Sequence, residues 1–447
     1  MNRRRKFTKI VVEPPGPKAR EVIDKDREYL MQSYVRWYPI VVKKGDGVIL
    51  EDVDGNKYID MNAGIAVLAT GHRDPSLVLA IKEQLERFQH YSLTDFYYEL
   101  AVDYAEKLFN AMKWRDNKIF YTNSGAESID TAIKVSKGYF EGRRNYFLAF
   151  IGAFHGRTIG SLSLTASKPI QRRYFFPMMP GVIHAPFPYC YRCPFKLEYS
   201  SCNFYCVDFI KEWILEKYLP SEELAAVFIE PIQGEGGYIP APDGFIQRLR
   251  KLADEYGFLI VSDEVQSGMG RTGKLFAIEH YNVRPDLIAV AKGIASGLPL
   301  GALIGRKDIM TLPPGTHANT FGGNPISLAA ASATLDRLLN GLMDNATKTG
   351  KYLMNRLNEL KDKYDIIGDV RGKGLMIGVE LVKDRDSKEP AKRELGKVLE
   401  YSFKHGLLVI GAGISTVRFS PPLNITEEVI DEALDIFEDA LKNVSMG

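Results

Sequence analysis

Short apolar runs rich in β-branched and aromatic residues recur along the chain. They are Ile119-Phe120-Tyr121, residues 146–151, Val182-Ile183-His184, Val227-Phe228-Ile229, residues 258–262 and residues 287–291. Between several of them the apolar positions shift to helical spacing, as in 128–141 and 244–256. This alternation predicts an α/β fold with a largely parallel sheet. The runs are continuously apolar, which suits strands covered by helices on both faces.

The C-terminal part reads differently. A long helical pattern covers about 327–363, strand-like runs follow at 375–382 and Leu407-Leu408-Val409-Ile410, and an amphipathic helix closes the chain at 427–442. These predict a second, smaller α+β domain. Near the N-terminus, Val48-Ile49-Leu50 and Lys57-Tyr58-Ile59-Asp60 flank Asp54-Gly55, a hairpin signal. The expected division is an N-terminal segment 1–70 packing with the small domain, a large domain 71–335 and a small domain 336–447.

Composition narrows the function. The 447 residues are 45% hydrophobic and 26% charged, ordinary globular values. Lys and Arg number 58 against 56 acids, so the net charge of +2 gives no global pull toward nucleic acid or anionic lipid. No run of 18 apolar residues exists, so no spanning helix is expected. The basic start, Met1-Asn2-Arg3-Arg4-Arg5-Lys6, resembles a signal n-region, but the apolar stretch after it stops at Val12, before Glu13-Pro14-Pro15-Gly16-Pro17. That argues against export, so a solvated arm and a cytoplasmic protein are expected.

All four cysteines, Cys190, Cys193, Cys202 and Cys206, fall in one stretch. A C-x2-C pair followed by C-x3-C suits thiolate ligation of Zn²⁺, two local disulfides or four free thiols. No histidine or carboxylate constellation surrounds them, so they carry no catalytic expectation.

The chemistry concentrates where apolar strands end, since open α/β sheets bind ligands beyond their carboxyl edge. Leu287-Ile288-Ala289-Val290-Ala291 runs into Lys292. Poor hydration there lowers an amine pKa and makes it nucleophilic; the alternative is a lysine that snorkels to water. Phe258-Leu259-Ile260-Val261-Ser262 ends in Asp263, either a partner for a buried cation or a structural carboxylate. Ile119-Phe120-Tyr121-Thr122 leads into Asn123-Ser124-Gly125-Ala126-Glu127, whose helix-start amides can grip a phosphate or simply be capped. Val227-Phe228-Ile229 meets Glu230 and a Gly-rich loop carrying Glu235, a site wall or a solvated loop. Phosphate grip, amine and carboxylate are together what pyridoxal 5′-phosphate needs. The stretch 268–274 matches G-x-G-x-x-G and nearly a Walker A loop, but the matching strand ends earlier and Leu275 stands where Ser or Thr must hold Mg²⁺.

These residues lie in stretches that resemble the class III (4-aminobutyrate/ornithine-type) aminotransferases, fold-type I pyridoxal-phosphate enzymes. The resemblance rests on Asn123-Ser124-Gly125-Ala126-Glu127, Phe154-His155-Gly156-Arg157-Thr158, Glu230-Pro231-Ile232-Gln233-Gly234-Glu235-Gly236-Gly237, Asp263-Glu264-Val265-Gln266-Ser267-Gly268 and Ala291-Lys292-Gly293. It continues through Thr320-Phe321-Gly322-Gly323-Asn324-Pro325, Val370-Arg371-Gly372-Lys373-Gly374 and Arg418-Phe419-Ser420-Pro421-Pro422.

The resemblance implies that Lys292 forms the Schiff base with the cofactor and shuttles the proton. It implies that Asp263 pairs with the pyridinium nitrogen, and that Ser124, Gly125 and Ala126 hold the phosphate with Thr320 from a second subunit. Phe154 and Val265 would cover the ring faces and Gln266 approach the phenolic oxygen, with His155 and Glu230 completing the cofactor set. Arg418 would bind the substrate α-carboxylate, Glu235 gate it, and Arg157 meet a distal carboxylate. A homodimer or larger homo-oligomer with shared sites follows. The implied activity is transfer of an amino group from an amino acid or ω-amino acid to a 2-oxo acid such as 2-oxoglutarate. The family also holds amino-acid racemases and epimerases, in which Glu235 would serve as second base to Lys292. Ile65 falls where ornithine-specific members carry tyrosine, and the cysteine loop at about 187–206 is not a general family feature. Tyr91, Phe96, Tyr97 and Tyr98 suit either an aromatic entrance or core packing.

Overall fold

The computed structural model describes residues 5–445. A seven-stranded sheet lies at its centre, in the order Asn117–Thr122, Gly301–Arg306, Leu287–Val290, Leu259–Asp263, Leu224–Ile229, Tyr146–Phe150, Val182–Ala185. Every pairing from Leu287–Val290 to Val182–Ala185 is parallel. Every residue of Leu224–Ile229, Leu259–Asp263 and Leu287–Val290 is buried, as strands covered on both faces must be. On one face Ile129, Ile133 and Val135 of the helix Gly125–Tyr139 pack against Phe147, Phe228 and Val261. On the other, Phe245 and Leu249 of the helix Phe245–Tyr256 join Ile260 and Val290 in the main core.

One strand escapes the hydrophobic pattern. Gly301–Arg306 inserts antiparallel to both neighbours. Its glycines dilute the apolar signal, yet a Cβ on Gly301 would lie 2.4 Å from Thr122 Oγ1 and 2.7 Å from Ser128 Oγ, so the tight packing requires a bare backbone. The long helical pattern at 327–363 is also divided: Pro325–Arg337 and Met343–Lys363 flank a wider turn in which Asn340 and Gly341 leave helical geometry, Gly341 at φ 120°. Glycine alone adopts that φ at no steric cost.

The Asp54-Gly55 hairpin forms, pairing Ile49–Asp52 with Lys57–Asp60. The run 407–410 splits at Val409. Leu407–Leu408 joins this N-terminal sheet in parallel with Lys57–Asp60, whereas Ile410–Ala412 pairs with Thr416–Phe419 in a separate antiparallel sheet.

Of the basic arm, Met1 to Arg4 lie outside the described residues. Arg5 donates to the His405 carbonyl at 2.8 Å and the Lys6 ammonium pairs with Glu428 at 2.7 Å, so this part is exposed but tethered rather than free in solvent. Among the described residues no helix is long and apolar enough to cross a membrane.

Candidate active site

The carboxyl ends of the parallel strands bring the polar groups together. Asp263 is the last residue of Leu259–Asp263, Glu230 follows Leu224–Ile229, and Lys292 stands two residues beyond Leu287–Val290. They open on a cavity of about 430 Å³, also lined by Ser124, Gly125, Ala126, Phe154, His155, Arg157, Glu235, Val265 and Gln266. That volume lies within the usual range for small-ligand sites.

Lys292 is half-buried and faces the cavity. Burial pushes its amine pKa down to about 8, helped by the nearby Arg418 guanidinium and opposed by Glu235, Asp263 and Glu230. Its backbone is left-handed, φ 47°, a conformation that costs a non-glycine residue roughly 1 kcal/mol and is typical of functional sites.

Asp263 accepts two hydrogen bonds, from the Val265 amide at 3.0 Å and from His155 Nδ1 at 2.7 Å. Burial disfavours the His155 cation, but the Asp263 carboxylate outweighs it, so the imidazole pKa is raised. His155 therefore stands behind Asp263 and orients it. Glu230 accepts from the Gly234 and Phe154 amides, both at 3.0 Å. Burial pushes its pKa up to about 7; His155 opposes the rise and Asp263 adds to it. Glu230 thus braces the Phe154 backbone and the Gly-rich loop.

Ser124 caps the helix Gly125–Tyr139, accepting from the Glu127 amide at 3.2 Å, and Glu127 reaches back to the Asn123 amide at 2.7 Å. Capping and phosphate grip are compatible here. The amides of Gly125 and Ala126 open the helix at the cavity wall, where no preceding turn supplies carbonyls and the dipole favours an anion.

Gly125 also sets the spacing of the walls. A Cβ there would stand 2.7 Å from Val265 Cγ1. Gly125→Ala is expected to displace Val265 and weaken pyridoxal-phosphate binding about tenfold, since overpacking costs roughly 1–3 kcal/mol. Absorbance titration of the cofactor-free protein checks this, and an unchanged affinity counts against it.

Arg418, on the strand Thr416–Phe419, is 2% exposed and donates through Nη1 to Glu235 Oε1 at 2.8 Å. Its Nε has no partner. Glu235 Oε2 lies 3.6 Å from Lys168 Nζ, a residue the sequence pattern did not single out. Burial opposes ionisation of Glu235, but Arg418 and Lys168 prevail and hold its carboxyl below the usual range.

Other residues sit apart. Arg157 is exposed on the cavity rim, its guanidinium 5.3 Å from the Phe154 ring centre. Thr320 is exposed and Ile65 is 44% exposed, and neither lines the cavity of this single chain. Ile65 belongs to a left-handed turn, Ala63 to Ala66, with φ between 50° and 67° throughout. Tyr91, Phe96 and Tyr97 lie outside the core, whereas Tyr98 is half-buried and donates to the Gly323 carbonyl. The four cysteines line one cavity of about 20 Å³ as free thiols, and among the described residues no three His, Cys, Asp or Glu are grouped to hold a metal ion. Gly268 to Gly273 form a turn around the buried Arg271, which bonds the Leu375 and Pro421 carbonyls, so the glycine-rich match serves packing.

The donor set fits pyridoxal phosphate. Helix-start amides are available to an anion, Phe154 and Val265 form apolar walls, Asp263 offers a carboxylate, and the buried Gln266 Oε1 has no partner. The cavity also presents the lowered amine of Lys292.

Comparison with known proteins follows this geometry. The class III aminotransferase family model matches residues 30–441. An alanine/serine racemase of Pyrococcus horikoshii is 42% identical, over 99% of this chain and 94% of its own. An acetylornithine aminotransferase of Clostridium acetobutylicum is 38% identical, over 93% of this chain and 100% of its own. The crystal structure of an amine transaminase from an uncultivated Pseudomonas species, in its PLP-bound form, superimposes with a TM-score of 0.86 at 28% identity, covering 93% of this chain and 98% of that one.

Proposed function

The chain belongs to the class III aminotransferases, a pyridoxal-phosphate-dependent enzyme family, and from that premise we propose that it moves an amino group from an amino acid or ω-amino acid to a 2-oxo acid such as 2-oxoglutarate. The Arg418–Glu235 pair is the observation that carries this reading. A transaminase handles two substrates in turn at one site, and when the donor is an ω-amino acid these differ in whether a carboxylate stands beside the reacting carbon. Arg418 receives that carboxylate when it is present, and Glu235 covers the guanidinium when it is absent. Leaving a buried guanidinium unpaired would cost several kcal/mol.

The cofactor, when bound, supplies an electron sink for negative charge at the substrate Cα. The remaining work falls to the chain. The amides of Gly125 and Ala126, with Ser124, bind the phosphate. Asp263, oriented by His155, keeps a proton on the ring nitrogen, while Phe154 and Val265 exclude water from the ring faces. Lys292 would carry the proton between the substrate Cα and C4′ of the cofactor, the shift that distinguishes amino transfer from simple exchange at Cα. Thr320 and Ile65 serve a site completed by a second copy of the chain, which accounts for their position away from this cavity. The domain division at about 70 and 335 belongs to the same proposal.

The racemase relative favours a second reading, in which a proton is taken from one face of Cα and returned from the other. Glu235 would have to hold that second proton. Here Glu235 is engaged with Arg418 at 2.8 Å and faces Lys168 at 3.6 Å, an arrangement that suits a gate more than a second base and so places transamination first.

Incubation of the holoenzyme with single L-amino acids, with and without 2-oxoglutarate, separates the two. Transamination gives keto acid in step with acceptor and preserves chirality. Loss of optical activity without acceptor and without keto acid would establish the second reading instead.

A further inference from the structure

We propose that Lys168 is the alternative partner of Glu235, receiving its carboxylate when a substrate carboxylate takes Arg418, and so acts as a positioning residue that sets affinity for carboxylate-bearing substrates. This rests on the gate reading of Glu235 given above.

The geometry places the two cations on opposite oxygens of one carboxylate. Oε1 is hydrogen-bonded to Arg418 at 2.8 Å, while Oε2 lies 3.6 Å from Lys168 Nζ, within ion-pair reach but beyond a hydrogen bond. Glu235 lines the inner cavity. Lys168 lines a neighbouring cavity of about 760 Å³, together with Gln233, Gly236 and Thr416. Movement of the Glu235 carboxylate toward Lys168 is therefore movement toward open space. Gly234 on one side and Gly236-Gly237 on the other keep the adjoining positions free of side chains.

Energetics require a second cation. The Glu235 side chain is only 18% exposed, and a carboxylate left buried without a partner costs roughly 2–5 kcal/mol. Without Lys168 that cost would fall on every substrate that displaces Glu235 from Arg418. Lys292 also faces Glu235, but it is committed to the reacting carbon in the proposed mechanism. Lys168 suits the task. Its backbone is extended, φ −149° and ψ 135°, as expected before Pro169, and its side chain is one-third exposed, so the flexible stem can follow the carboxylate. The buried, partnerless Nε of Arg418 adds a donor ready for the incoming carboxylate.

The test uses 2-methylpropanoate and its neutral amide, 2-methylpropanamide, as unreactive probes, titrated against holoenzyme and followed by cofactor absorbance. Lys168→Met should weaken the acid about tenfold, equivalent to about 1.4 kcal/mol, and leave the amide unchanged. Lys168→Arg should restore acid binding and report that the loop folds. Glu235→Gln should tighten the acid, and adding Lys168→Met to it should have no further effect. An unchanged or tightened acid affinity in Lys168→Met, or the same loss in the Glu235→Gln background, would overturn the role of Lys168 while leaving the gate in place. An acid affinity unaltered by Glu235→Gln would remove the gate itself, and this inference with it.

Discussion

Lys292→Ala is expected to lower turnover at least 10⁴-fold and to abolish the visible absorbance of the holoenzyme. The loss combines a proton-transfer group, worth roughly 10²–10⁴ by itself, with the covalent anchor of the cofactor. Folding should survive. The amine is held in a cavity where burial already lowers its pKa to about 8, so its removal relieves a penalty. The left-handed backbone at φ 47° makes Lys292→Gly the more stable of the two variants by roughly 1 kcal/mol. The same pKa sets a pH dependence for the cofactor-free protein. Below about pH 8 the ammonium form dominates, so the rate of pyridoxal-phosphate capture should fall about tenfold per pH unit and level off above. Stopped-flow absorbance across pH 6 to 9 measures it.

Asp263→Asn is expected to reduce turnover roughly 10³-fold, the scale lost when a preorganised charge is removed from a reacting centre. Asparagine keeps the shape and can still accept from the Val265 amide, so the cofactor should remain bound and the protein folded. The effect reaches His155, whose pKa is raised by this carboxylate. A histidine with a raised folded pKa contributes stability that is full below its ordinary value of 6.5 and is lost as pH rises through the folded value. Asp263→Asn should remove that pH-dependent part. Melting curves below and above pH 6.5 test it, and near-normal turnover in the variant would refute the charge-balancing role.

Much of the large sheet was legible because its strands are buried on both faces and show as unbroken apolar runs. Gly301–Arg306 was not, because its packing demands glycines that weaken the pattern. The helical pattern at 327–363 concealed a break because one Asn-Gly step barely alters the apolar spacing. Lys292, Asp263 and Glu230 stood out in the sequence as polar residues closing apolar strands. The service of His155 to Asp263 did not, since the pair is 108 positions apart in the chain. Lys168 carried no signal at all. It sits in a loop without periodicity and meets Glu235 only through the fold. Thr320 and Ile65 are legible by resemblance, and neither lines the cavity of the single chain.

The central claim is that the amine at position 292 holds the cofactor. Borohydride reduction of the holoenzyme, followed by peptide mass mapping, tests it most directly. The account predicts a phosphopyridoxyl mass on the peptide containing Lys292 and on no other lysine. The same label on a different lysine, with Lys292 unmodified, would contradict it.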